Sequence, residues 1–215
     1  MRRVSLTGYM RSLARSRRFT RAYRGNAWGD LQSRSGAGSN RDSGSVRHAL
    51  DVLSRITEQY DATSIADIPC GDFNWIDSYL TAHPQVAYVG YDIVRALVRA
   101  NRAHFPRFTF EPLDIVAQVP AAADLIFCKD LFNHLQEREI VAAVANMRRS
   151  GSRWLLASNN FGHAYMPLGQ GPHKDSRHVD LTLPPFCYRA PLWNDHYLGL
   201  WALPGLEPRG HADAN

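Results

Sequence analysis

A chain of 215 residues that is 45% hydrophobic and 21% charged has the composition of an ordinary globular protein, one domain with extensions burying about 70% of its unfolded surface. No apolar run approaches the ~20 residues that cross a bilayer, and three scattered cysteines, Cys70, Cys128 and Cys187, make no disulfide framework and fit a reducing, cytoplasmic setting. The formal charge of +5 is not a property of the domain: residues 1–29 hold eight arginines and no acid, leaving 17 basic against 20 acidic residues elsewhere, a net of −3.

Residues 1–27 form an arginine-rich N-terminal arm. Between residues 2 and 24 the arginines alternate with Ser, Leu, Tyr and Phe, a pattern compatible with a basic amphipathic helix or with disorder. The arm reads as a solvated extension partly packed on the domain, as a tether to nucleic acid or anionic membrane, or as an organellar transit segment. Residues 28–45 are rich in glycine and serine, with Ser35-Gly36-Ala37-Gly38-Ser39 at their centre. By composition they are a linker. By position, just ahead of the first helix of the domain, their amides and hydroxyls and Arg34 suit the cradling of a ligand carboxylate.

The domain proper, residues 46–204, alternates helical and strand patterns. Val46, Leu50, Leu53 and Ile56 make a helical stripe over 46–60. Ser64 to Ile68 is a short apolar run stopped by Pro69-Cys70-Gly71, a buried strand ending in a tight turn. A helix over 73–80, a strand over 86–91 ending at Asp92, and a helix over 93–103 follow. Next come strands over 108–110 and 125–128, a helix over 136–149 stopped by Gly151, and a strand over 153–157. Residues 180–186 and 197–203 read as two further strands, with Pro184 and Pro185 best placed at an edge. This alternation predicts an α/β fold with a mainly parallel sheet and right-handed crossovers. Residues 205–215 read as a flexible tail.

The turn at Gly71 narrows the ligand. In an open α/β sheet, ligands bind past the carboxyl ends of the strands, where glycine lets backbone approach them. Asp92 stands 21 residues beyond Gly71, where an acid accepts hydrogen bonds from ribose hydroxyls. A dinucleotide fingerprint needs three glycines, and only Gly71 is present. Asp72 would also set negative charge beside a pyrophosphate. Asp67 and Asp72 instead suit a ligand with an ammonium or sulfonium group, which points to S-adenosylmethionine.

At these residues the chain resembles the class I S-adenosylmethionine-dependent methyltransferases. Asp67-Ile68-Pro69-Cys70-Gly71-Asp72 is similar to their first motif, with Pro69 where many members carry glycine. Val89-Gly90-Tyr91-Asp92 resembles the second, Glu111-Pro112-Leu113-Asp114-Ile115 the third, and the run from Asp124 to Leu135 the fourth. The resemblance covers roughly residues 45 to 158. More narrowly, the Cys70–Trp75 run and the closing Pro184-Pro185-Phe186 and Leu198–Trp201 segments resemble a bacterial branch of the superfamily, which brings no acceptor with it.

The resemblance implies a Rossmann-like, seven-stranded sheet with helices on both faces and an antiparallel closing strand. It also implies that Asp67, Pro69, Cys70, Gly71 and Asp72 frame the methionine end of the cofactor. Asp92 and Ile93 would meet the ribose and Asp114 and Ile115 the adenine; Lys129 would also contact the cofactor, and Asp130 would line the methyl-transfer pocket. For a general base the candidates are His134, His163 and Asp130. Residues 162–180 have no period but carry His163, His173, Lys174, Asp175, Arg177 and His178, an acceptor-binding lid or an irregular loop. These residues lack a compact metal-ligand spacing.

The leading expectation is a methyltransferase acting on a small-molecule or glycan acceptor, at oxygen. The alternatives are an RNA methyltransferase recruited by the basic tail and a non-catalytic protein that binds cofactor or partner. No Asn-Pro-Pro-Tyr motif follows the fourth motif's strand, which disfavours methylation of DNA-base amines. A nicotinamide-dependent dehydrogenase is more remote: of the two lysines, neither follows a tyrosine at the four-residue step.

Overall fold

The computed structural model describes residues 6–170 and 175–208. Seven strands form one sheet in the order β3-β2-β1-β4-β5-β7-β6. They are β1 (Ser64–Asp67), β2 (Ala87–Asp92), β3 (Thr109–Pro112), β4 (Leu125–Cys128), β5 (Trp154–Ser158), β6 (Trp193–Asn194) and β7 (Leu198–Ala202). The helices are α1 (Leu6–Arg24), α2 (Gly44–Gln59), α3 (Ile76–Ala82), α4 (Arg95–His104) and α5 (Glu137–Arg149). The mainly parallel α/β sheet with an antiparallel closing strand, expected from the sequence, is the one observed. The chain divides into two compact units between Gln118 and Val119.

In the first unit β2 pairs in parallel with β1 and with β3. The α2 helix starts where the Ser43 hydroxyl accepts from the Val46 amide at 3.1 Å, a helix cap. It buries Val46, Ala49, Val52, Leu53 and Ile56, each of the valine, leucine and isoleucine side chains contributing about 1.5–3 kcal/mol. Gly90 in β2 is there for space. A Cβ on it would stand 2.8 Å from the Phe110 ring and 2.9 Å from the Cys70 Cβ.

The helix expected over 73–80 begins only at Ile76. Phe73 instead takes a left-handed backbone, φ +56, and its ring is buried against Tyr88, Phe105, Phe108 and Phe110. Four edge-on or tilted aromatic contacts outweigh the helix propensity of the segment.

The second unit pairs β4 with β5 in parallel and β5 with β7 antiparallel. All of β4 is buried, as a central strand requires. Gln136 and Glu139 make a reciprocal capping box at the start of α5. The strand expected over 180–186 does not form. The Asp180 carboxylate accepts from the Thr182 amide at 2.9 Å and its hydroxyl at 2.7 Å, a turn, and Pro184 and Pro185 have no N–H for a ladder. The outer member of the closing pair is β6.

Residues 205–208 are packed, with Leu206 buried and Pro208 bridging to Tyr188, so the flexible tail expected from 205 does not begin there. Residues 1–5 of the arm, His173 and Lys174 of the 162–180 loop, and residues 209–215 lie outside the described residues. Among the described residues no helix is long and apolar enough to cross a membrane.

Candidate functional site

In the first unit β1 ends at Asp67, whose buried carboxylate accepts from the Tyr88 hydroxyl at 2.8 Å. The chain then turns through Pro69 and Cys70, and the Cys70 amide donates to the Tyr91 carbonyl at 2.8 Å. Gly71 adopts φ +54, and a Cβ there would meet the Ser35 Oγ at 2.6 Å. Both facts favour glycine here. Its carbonyl is held by the Asn101 amide of α4 at 2.8 Å.

The Ser35 contact shows where the glycine- and serine-rich segment goes. The Ser35 hydroxyl accepts from the Asp72 amide at 2.9 Å. The Ser33 hydroxyl donates to the Asp72 carboxylate at 3.0 Å, and the Arg34 amide donates to it at 2.9 Å. Asp30 in turn fixes the segment by accepting from the Gln32 and Ser33 amides. Arg41 reaches the Asn74 carbonyl and the Asp77 carboxylate. Residues 28–45 are therefore a built loop seated on the glycine turn, and the carboxylate its hydroxyls hold is the protein's own Asp72. The Arg34 side chain stays exposed.

Asp92 closes β2 and is 7% exposed. It accepts from the Val94 amide at 2.8 Å and from the amides of Gly71 and Ile93. Burial lifts its pKa to about 6, against the pull of those three amides. No cation pairs with it among the described residues. Beyond Asp92, a cavity of about 170 Å³ is lined by Ile93, Leu113 and Asp114 on one side and by Tyr9, Ser12 and Ser16 of α1 on the other. Ile115 is buried and off that lining.

The Asp114 carboxylate is held by α1. Arg15 Nε and Nη2 donate to its two oxygens at 3.0 and 2.8 Å, with both side chains buried. Further along α1, burial raises the Tyr23 hydroxyl above its ordinary value, and the carboxylates of Asp72 and Asp92 raise it further. Three carboxylates, Asp67, Asp72 and Asp92, thus mark this rim. That set of acceptors fits a ligand with a cationic end and ribose hydroxyls and disfavours a pyrophosphate.

The second unit holds a separate polar cluster after β4. Asp130 takes a left-handed backbone, φ +55, which asparagine and aspartate tolerate better than other side chains. Its amide donates to the Ser158 hydroxyl at 2.8 Å, and the Tyr197 hydroxyl donates to its carboxylate at 2.6 Å. Lys129 Nζ, buried, lies 2.6 Å from the same carboxylate. Burial alone would raise Asp130, but the Lys129 ammonium and the Tyr197 hydroxyl hold it below the usual carboxylate range. Lys129 is correspondingly raised: burial disfavours its charge, and Asp130 and Tyr197 outweigh that.

This cluster forms one wall of a cavity of about 410 Å³. Asp130, Ser158, His163, Arg177, His178 and Tyr197 are among the residues that line it. The rings of His163 and His178 meet edge-on at 4.2 Å. Of the base candidates, Asp130 and His163 reach this cavity and His134 does not. His134 Nδ1 donates to the Asp175 carbonyl at 2.5 Å, which fixes its tautomer. The loop that carries His163 is anchored by Asn159, which donates to Asp180 at 3.1 Å and accepts from the Leu181 amide at 2.8 Å.

Of the residues expected to bind cofactor, Asp67, Pro69, Cys70, Gly71, Asp72, Asp92, Ile93 and Asp114 cluster in the first unit at the ends of β1 to β3, the Arg34 side chain is exposed, Ile115 is buried away from the cavity, and Lys129 belongs to the second unit. Sequence reading missed Arg15, Ser33, Ser35, Tyr197 and Ser158. Arg15 was one arginine among eight, and a polar residue at the start of a closing strand carries no local signal.

The fold defined by this sheet and its glycine turn is that of class I S-adenosylmethionine-dependent methyltransferases. Among solved structures, the chain is similar to magnesium protoporphyrin IX methyltransferase from Synechocystis PCC 6803, solved with S-adenosylhomocysteine (TM-score 0.58, 14% identity, 88% of this chain and 96% of that one). It is similar also to the methyltransferase domain of bacterial CtHen1 (0.54, 13%, 73% and 98%). A third is CalO1, a methyltransferase of calicheamicin biosynthesis solved with the same ligand (0.51, 17%, 73% and 53%); the chain spans about half of its length. No family model matches the sequence, and no curated protein sequence matches it.

Proposed function

We propose that the protein is an S-adenosylmethionine-dependent methyltransferase acting at an oxygen of a small-molecule or sugar-containing acceptor. The observation that carries this reading is Asp92: a buried carboxylate with three amide donors and no cation, at a strand end beside a left-handed glycine. Ribose hydroxyls would complete its hydrogen bonds. Asp67 and Asp72 place negative charge beside a cationic amino-acid end, and the cavity under α1 takes the adenine, with Asp114 at its edge. When bound, the cofactor supplies an electrophilic methyl on a sulfonium sulfur.

In this reading the acceptor occupies the cavity of the second unit. His163 takes the proton of the acceptor hydroxyl as the oxygen attacks, because imidazole is the side chain most used as a general base. Asp130 stays ionised beside Lys129 and Tyr197 and serves to position that wall. It is a weak base for the reason that it is well paired.

The test is transfer of isotope from methyl-labelled S-adenosylmethionine into a pool of small hydroxylated metabolites. Label in an acid-stable product, lost in Asp92→Ala and strongly reduced in His163→Ala, supports the reading. Labelled cofactor left intact in every pool contradicts it.

A second acceptor class draws on one observation. In α1, Arg11, Arg17, Arg18, Arg21 and Arg24 are exposed, a cationic face suited to phosphate contacts. RNA binding that weakens steeply with salt, and is lost in Arg17→Glu/Arg21→Glu, would favour an RNA acceptor instead.

A further inference from the structure

We infer that the acceptor carries an anionic oxygen group, a carboxylate or a phosphate, and that Arg177 receives it. This deepens the acceptor-cavity reading above and rests on it. Arg177 lines the cavity between Ser176 and His178 yet is only 6% exposed. Its side-chain hydrogen-bond partners among the described residues are all uncharged. Nη2 donates to the Leu135 carbonyl at 2.8 Å, and Nη1 to the Met166 carbonyl at 3.2 Å and the Tyr165 hydroxyl at 3.4 Å. The guanidinium carbon stands 5.3 Å from the Tyr165 ring centre. Nε is buried with no hydrogen-bond partner. Among the described residues no carboxylate lies within ion-pair distance of it.

A buried guanidinium without a counter-charge is expensive, and natural proteins pair such groups. Here the nearest route to an acid is indirect, through the Tyr165 hydroxyl, which is hydrogen-bonded to Glu137 at the start of α5. The other charge on the cavity wall, Asp130, is already matched by Lys129. The uncompensated charge facing the cavity is therefore positive. Asn133, Asn160, His163 and Ser176 add hydrogen-bonding groups around it. Guanidinium with flanking neutral donors is the chemistry that recognises carboxylate and phosphate oxygens.

Loop pinning alone would account for the three hydrogen bonds, but an uncharged donor could make those. It does not account for a cation at a cavity wall whose one carboxylate among the described lining residues, Asp130, is paired with Lys129 instead. An anionic acceptor group supplies the missing charge.

The experiment follows the imidazole NMR signals of His163 and His178 in the full chain saturated with S-adenosylhomocysteine. Inorganic phosphate, acetate and chloride are titrated at matched ionic strength. The inference expects saturable shifts with phosphate or acetate and not with chloride, the tighter of the two naming the group. Arg177→Met should weaken the response about tenfold or more, and Arg177→Lys by less, since the charge remains without the fork. Shifts no larger than those from chloride, or an unchanged response in Arg177→Met, would overturn it. Where Arg177→Met does not fold, the comparison of phosphate and acetate with chloride in the wild type and Arg177→Lys decides. Failure of S-adenosylhomocysteine to bind, with anion shifts intact, would instead remove the methyltransferase reading and leave the anion site standing.

Discussion

Arg15 and Asp114, 99 residues apart in sequence, close a two-pronged ion pair with both side chains buried. The pair joins the N-terminal helix to the rim where the third motif lies. Removing one partner of a buried pair strands the other charge, at about 3 kcal/mol or more. Arg15→Met should therefore release α1, seen as faster proteolysis within residues 6–24 and weaker S-adenosylhomocysteine binding. Asp114→Asn added to Arg15→Met should lower stability by less than the two single changes together.

Asp92 makes cofactor affinity depend on pH. Its pKa is raised to about 6 by burial, so the folded state holds this proton at pH values where the unfolded chain has lost it. The stability it contributes is present below pH 4 and is lost as pH rises through 6, up to about 3 kcal/mol. Ribose hydroxyls need the ionised form as acceptor. S-adenosylhomocysteine affinity should thus rise about tenfold between pH 5 and 7. In Asp92→Asn that slope should vanish, and the ligand-free protein should melt higher at pH 7 than the wild type.

Gly71→Ala meets two obstacles, a left-handed backbone worth about 1–2 kcal/mol to any Cβ and the Ser35 Oγ at 2.6 Å. Both stability and cofactor affinity should fall. Adding Ser35→Ala relieves the contact but not the backbone, so thermal melting should recover only in part.

Much of this was legible in the sequence because the signals were local. Ser64 to Gly71 and Val86 to Asp92 are short runs whose burial, turn and acid follow from residue type alone. Strand β4 and helix α5 were read nearly to the residue, since a fully apolar run and a capped helical stripe leave few alternatives. Residues 180–186 do not show their turn in residue type alone, because it depends on the Asp180 carboxylate accepting from Thr182 rather than on a ladder. The helix expected from Phe73 fails because its aromatic partners, Phe105, Phe108 and Phe110, lie beyond any local window. The seat of residues 28–45 on Asp72 rests on hydroxyls whose partners are about 40 residues away, which composition does not encode.

Lys129 bears on the second cluster. With Lys129→Met, Asp130 loses its nearest positive charge while burial and the Tyr197 hydroxyl remain. The Asp130 carboxyl should then titrate at higher pH than in the wild type, read from its carbon NMR signal. A midpoint that does not move would mean that Tyr197 and Ser158, rather than Lys129, set its charge.

The measurement that tests the central claim most directly is calorimetric titration with S-adenosylhomocysteine and, separately, NADH, on the wild type and Asp92→Ala. The account predicts about micromolar affinity for the sulfur nucleoside alone, lost in the variant. Equal binding in Asp92→Ala, or preference for the dinucleotide, would contradict it.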